Sequence, residues 1–113
     1  MQILEKPVSK DELKTIAGEM FGDLVKGVVD LRLDLLAIDA ELHSDLEAIL
    51  LENGSLQNDL WGINLYPGLE GNDFLEFDAM INMRPSQGNM SRGVEDEATR
   101  NRITELVSRW VMG

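Results

Sequence analysis

The sequence predicts an α+β domain with a largely antiparallel sheet, helices packed on one face, and the order β-α-β-β-α-β-β-α. Three observations carry this. Apolar and polar residues alternate with period two over 36–43 and 74–84, as half-buried strands require. Apolar residues recur at helical spacing after Ser9 and after Asp96. The strand patterns come in adjacent pairs, as antiparallel hairpins do, with helical patterns between them.

Gln2–Glu5 reads as a short strand stopped by Pro7. Ser9-Lys10-Asp11-Glu12 is a capping box, in which each side chain satisfies the other residue's free backbone N–H. Leu13, Ile16, Ala17, Met20, Phe21 and Leu24 then make one buried helical stripe, with Gly22 as the stop. In the next strand Val25, Gly27, Val29 and Leu31 share one parity and Val28 breaks it. A tight connection near Leu31–Leu33 leads to Leu36, Ile38, Ala40 and Leu42, alternating with Ala37, Asp39, Glu41 and His43. A helix can also be drawn through 35–51, but Ser44-Asp45-Leu46-Glu47 is a second capping box and favours strand then helix. That helix turns Leu46, Ile49 and Leu50 inward and ends at Asn53-Gly54.

Strand Leu60–Tyr66 puts Trp61, Ile63 and Leu65 on one face and Asn64 on the other, before Pro67-Gly68. The most regular alternation follows. Leu75, Phe77, Ala79, Ile81 and Met83 point inward, and Phe74, Glu76, Asp78, Met80, Asn82 and Arg84 outward. Asp96 caps the last helix, whose stripe is Ile103, Leu106, Val107, Trp110 and Val111.

The length of 113 residues suits one domain, 1–113. There is no signal-peptide pattern and no run long enough to span a bilayer, so the expected address is the cytoplasm, without membrane attachment. The absence of cysteine excludes disulfides, thiolate zinc sites and a cysteine nucleophile. A net charge of −11 argues against a general nucleic-acid binder. The charge is uneven: 17 of the 21 acids and 5 of the 10 bases fall in residues 1–83. The last 30 residues are therefore where an anion meets the least negative field.

The candidate ligand-binding stretch is 82–92. Arg84 and Arg92 are forked donors for carboxylate or phosphate, and Asn82, Gln87 and Asn89 add amides. The competing reading pairs these arginines with Asp78, Glu95 or Asp96 to pin an irregular loop. Strand parity adds Asn64 to the ligand-binding set, on a polar sheet face with Asp39, Glu41, His43, Glu76 and Asp78. His43, the only histidine, with Glu41 or Asp78 forms the catalytic candidate set for acid–base or metal-assisted hydrolysis. No HExxH, EF-hand, P-loop or GxSxG pattern occurs, no metal site is assigned, and no cofactor can be named.

The segments Val28-Val29-Asp30, Asp39-Ala40-Glu41-Leu42-His43, Leu60-Trp61-Gly62-Ile63-Asn64-Leu65-Tyr66-Pro67 and Ile81-Asn82-Met83-Arg84-Pro85-Ser86-Gln87-Gly88-Asn89 resemble a small uncharacterised family of bacterial and archaeal proteins. The resemblance spans nearly the whole chain and implies no activity, because none is assigned to that family. Glu97 stands where the family pattern has a first-turn proline, which fits Asp96 as the cap.

The leading expectation is a binding or interaction module. It would hold a small anionic molecule, or an acidic segment of a protein partner, through loop 82–92 and the adjacent sheet face. A small hydrolase built on His43 is the alternative, and a structural subunit of a homo-oligomer, joined through a free sheet edge, is a third.

Overall fold

The computed structural model describes residues Met1–Gly113. Five antiparallel strands, ordered β1-β4-β3-β5-β6, form the sheet: β1 Gln2–Ile3, β3 Val25–Asp30, β4 Leu35–Ile38, β5 Leu60–Leu65 and β6 Leu75–Glu76. Helices α1 (Lys10–Gly18), α2 (His43–Glu52) and α3 (Glu97–Trp110) complete the α+β fold. Two further strands, β2 (Val8–Ser9) and β7 (Val111–Met112), pair in parallel. They tie the start of α1 to the end of α3.

The sheet is covered on both faces, which corrects the expectation that all helices share one. Leu13 and Ala17 of α1 and Ile103, Leu106 and Val107 of α3 pack on Val25, Val29, Leu36, Ile38, Trp61, Ile63 and Leu65. Helix α2 lies on the opposite face, with Leu46 and Leu50 against Val28, Ala37 and Leu60. The residue that broke the alternation in β3, Val28, belongs to this second core. Every residue of β5 is buried, as expected of a strand enclosed on two sides.

The capping box at Ser9 forms, with Glu12 N–H on Ser9 Oγ at 3.0 Å and Ser9 N–H on Glu12 Oε1 at 3.4 Å. Asp96 caps α3 through the N–H of Thr99 at 2.9 Å. The β3–β4 connection is nucleated by Asp30, fully buried, whose Oδ1 accepts the N–H groups of Arg32 and Leu33 at 2.8 and 2.9 Å.

Two expectations fail between β4 and α2. Strand β4 ends at Ile38, because Asp39 turns into the left-handed region with φ of 72°. Glu41 and His43 are therefore not strand neighbours. Helix α2 begins at His43, with Leu42 as an N-cap that makes no side-chain hydrogen bond, so the Ser44–Glu47 capping box does not form.

The long strand expected over 74–84 stops after Glu76, and the chain bends into a 3₁₀ turn at Met80–Asn82. Gly62 explains the bend. A Cβ placed there would lie 2.4 Å from Ala79 Cβ and 3.2 Å from Ile81 Cγ1, so glycine lets this segment press against the sheet. The expected inward row is split as a result. Leu75 and Phe77 join the core beneath α1 and α3, while Ile81 joins that beneath α2. Asn82, expected outside, is fully buried, and Met83, expected inside, is exposed.

Candidate functional site: a cleft at the start of α2

On the α2 side of the sheet, Lys26, Asn64 and Glu76 stand opposite one another across β3, β5 and β6. Helix α2 covers the part of this face nearer β4 and leaves the row open beside its own first turn. The result is a cleft of about 330 Å³. Its floor carries His43 and Asn64, its walls Lys26, Asp78 and Arg92, and its rim the exposed side chains of Leu42 and Met80.

Asn64 is 6% exposed and its orientation is forced. Nδ2 donates to Glu76 Oε1 at 2.8 Å and to the Asp78 carbonyl at 3.1 Å, and both of these groups can only accept. Glu76 is held in turn by the Tyr66 hydroxyl at 3.0 Å. Burial, then Glu76, push that phenol above its ordinary value, which keeps it a donor. With both N–H groups committed, Asn64 Oδ1 is a buried acceptor; the neighbouring His43 ring acts on it, but the one proton of the neutral ring goes to the Ile63 carbonyl, which leaves Oδ1 without a donor.

His43 is the first residue of α2, and its Nε2 donates to the Ile63 carbonyl at 2.9 Å. That acceptor fixes the proton on Nε2 in the neutral ring. Burial holds the imidazole below its ordinary value, and Lys26 pushes the same way. The Ile63 carbonyl, Asn64 and Asp78 oppose this without reversing it. Arg92 gives Nε to Asp78 Oδ1 at 2.7 Å and makes no other side-chain bond, so its terminal nitrogens are unpaired on a half-exposed side chain. Two cations and one carboxylate thus border a neutral floor, on a chain whose net charge is −11.

Of the residues singled out in the sequence, His43, Asn64, Asp78 and Arg92 meet here. Glu41 is exposed and lines no part of the cleft. The rest of loop 82–92 is occupied with its own structure. Asn82 accepts the Gly62 N–H at 2.8 Å and donates to the Gly62 and Arg92 carbonyls, each at 2.9 Å. Asn89 donates to the carbonyls of Asn82, Ser91 and Gly93 and accepts the Glu95 N–H. Arg84 turns inward to the carbonyls of Gln57 and Leu60, with its guanidinium 4.2 Å from the centre of the Trp61 ring. Gln87 reaches the Asn58 carbonyl at 3.4 Å.

Lys26, Leu42 and Met80 were not foreseen. Lys26 stands within an apolar strand whose broken alternation pointed to a second covered face. Met80 was expected on the outward row of segment 74–84, but not as part of a site. No cluster of three or more His, Asp or Glu side chains could hold a metal ion. No helix is long and apolar enough to cross a membrane.

No curated protein and no solved structure matches the chain. A family match covers residues 2–110, and the chain belongs to the family described as "Protein of unknown function (DUF5674)".

Proposed function

We propose that this chain is a binding module whose ligand occupies the cleft at the start of α2. One observation carries the reading: Asn64 Oδ1 is buried, fixed in direction by Glu76 and the Asp78 carbonyl, and without a donor. A buried acceptor left unpaired costs about 1–3 kcal/mol, which a ligand N–H or O–H recovers on binding. Lys26 and the unpaired terminal nitrogens of Arg92 favour an anion beside that donor, while Leu42 and Met80 offer apolar contact.

Binding is favoured over hydrolysis by the partners already taken. Asp78 faces Arg92, His43 Nε2 faces a carbonyl, and no nucleophile bonds to the imidazole. The sheet edges give little support to oligomer assembly by strand addition, since β1 and β6 are two residues each.

The test is backbone and side-chain amide shift mapping against a set of small anions, repeated with Ser44→Tyr. Ser44 is exposed, lines the cleft and makes no side-chain hydrogen bond, so tyrosine there plugs the opening and spares the core. Saturable shifts at His43, Ser44 and the Asn64 side chain, abolished in Ser44→Tyr, are expected. Shifts that fall elsewhere, or that survive the plug, would refute the reading.

A further inference from the structure

We propose that the cleft recognises an N-acylated α-amino acid with an apolar side chain, the group found at the C-terminus of a peptide. This rests on the binding reading above and names its ligand class. Three parts of the cleft ask for three parts of one residue.

The floor asks for a single neutral donor. Asn64 Oδ1 is one acceptor in a buried setting, and an amide N–H satisfies it with nothing left over. A free ammonium would bring three donors to that acceptor and a positive charge beside Lys26 and Arg92. Acylated nitrogen therefore fits where a free amine does not.

The walls ask for an anion close to that donor. Lys26 and Arg92 outnumber Asp78 among the charged groups lining the cleft. The first turn of α2 adds backbone N–H groups at His43 and Ser44, and Leu42 puts no side-chain cap on them. Asp45, the acidic residue of that turn, is exposed and does not line the cleft. In an acylated amino acid one carbon separates the N–H from the carboxylate, which suits a cleft where Lys26 and Asn64 are register partners on adjacent strands.

The rim asks for apolar surface. Leu42 and Met80 are 54% and 64% exposed at the opening, and methionine adapts to side chains of different shape. A volume of about 330 Å³ is at the low end for a ligand pocket and suits one residue.

The experiment is calorimetric titration of the wild-type protein, with shift mapping of the same samples. The probes are N-acetyl-L-leucine, N-acetyl-L-leucinamide, 4-methylpentanoate, L-leucine, inorganic phosphate, and a hexapeptide ending in leucine with a free or amidated terminus. N-acetyl-leucine is expected to bind with shifts at His43, Ser44 and Asn64. Loss of the carboxylate, of the N–H or of the acyl group should each weaken binding about tenfold or more. Arg92→Gln should weaken the carboxylate-bearing probes alone; the probe series on wild-type protein stands by itself if that variant misfolds. A free-terminus peptide that matches or exceeds N-acetyl-leucine identifies a chain terminus as the source, and its failure identifies a free acylated amino acid. Equal binding of N-acetyl-leucine and its amide would overturn the proposal. Cleft shifts with phosphate but not N-acetyl-leucine would also overturn it and leave the binding reading standing. No cleft shift with any probe would remove both.

Discussion

Asn82 stands in for a β-strand beside Gly62. Its amide accepts the Gly62 N–H at 2.8 Å and donates to the Gly62 carbonyl at 2.9 Å, the two bonds that β6 would make had it continued. The other Nδ2 hydrogen goes to the Arg92 carbonyl at 2.9 Å. One side chain therefore closes the sheet edge and anchors both ends of the loop. Replacing Asn82 with Ala leaves the Gly62 N–H and carbonyl unpaired, while the Arg92 carbonyl keeps the Ala79 N–H, so we expect a loss of about 2 kcal/mol or more. Urea unfolding would measure it, and a loss under about 1 kcal/mol would show that water replaces the amide.

Gly62 allows that arrangement by having no side chain. The added methyl of Gly62→Ala would meet Ala79 Cβ at 2.4 Å and His43 Cδ2 at 3.3 Å. Segment 79–82 must then lift and the ring must shift, at about 1–3 kcal/mol for overpacking. We expect a lower unfolding midpoint together with moved resonances for His43 and Asn82, read in one set of amide spectra.

Arg84 was the leading ligand-binding candidate in the sequence, and the fold uses it as a brace. Arg84→Ala removes two bonds to backbone carbonyls and the contact with Trp61. Charged hydrogen bonds of this kind are worth roughly 1.5–3 kcal/mol, discounted here because the side chain is only partly buried. The expected outcome is a measurable fall in stability with unchanged affinity at the α2 cleft. An affinity loss without a stability loss would return loop 82–92 to the role the sequence suggested.

His43 makes stability depend on pH. Its pKa in the fold lies below the ordinary 6.5, with burial as the main cause, so the unfolded chain binds the proton more tightly. The stabilisation from the neutral ring is present in full above about pH 6.5 and declines as pH falls through the folded value. His43→Gln keeps an N–H for the Ile63 carbonyl and removes the titration. Urea unfolding at pH 7.5 and 5.5 should show a larger drop for the wild type than for the variant, and equal drops would refute the assignment.

The elements legible in the sequence were those with local causes. The box at Ser9, the cap at Asp96, the turn after Asp30 and the stop at Asn53-Gly54 depend on neighbours within a few residues. The bend after Glu76 was not legible, because the alternation through Met83 is regular and its disruption comes from Gly62, far away in the chain. The same long-range cause decided the site. Strand parity grouped His43, Asn64 and Asp78 with Glu41, Asn82 and Arg84; the fold brings only the first three to one cleft, with His43 arriving from a helix and Asp78 from an extended segment beyond β6. Arginine and amide residues in loop 82–92 looked like ligand donors, and most of them hold the loop's own carbonyls. The sequence showed how many donors were there. Only the fold shows which of them are already occupied.

The central claim is that Asn64 Oδ1 awaits a ligand donor in the cleft beside His43. A crystal structure of the protein with whichever probe gives the largest saturable cleft shifts tests it most directly. The account predicts a ligand N–H or O–H at roughly 2.7–3.2 Å from Asn64 Oδ1, with Glu76 still holding Nδ2. A ligand bound elsewhere, or an Asn64 amide satisfied by a protein group with the cleft shut, would contradict it.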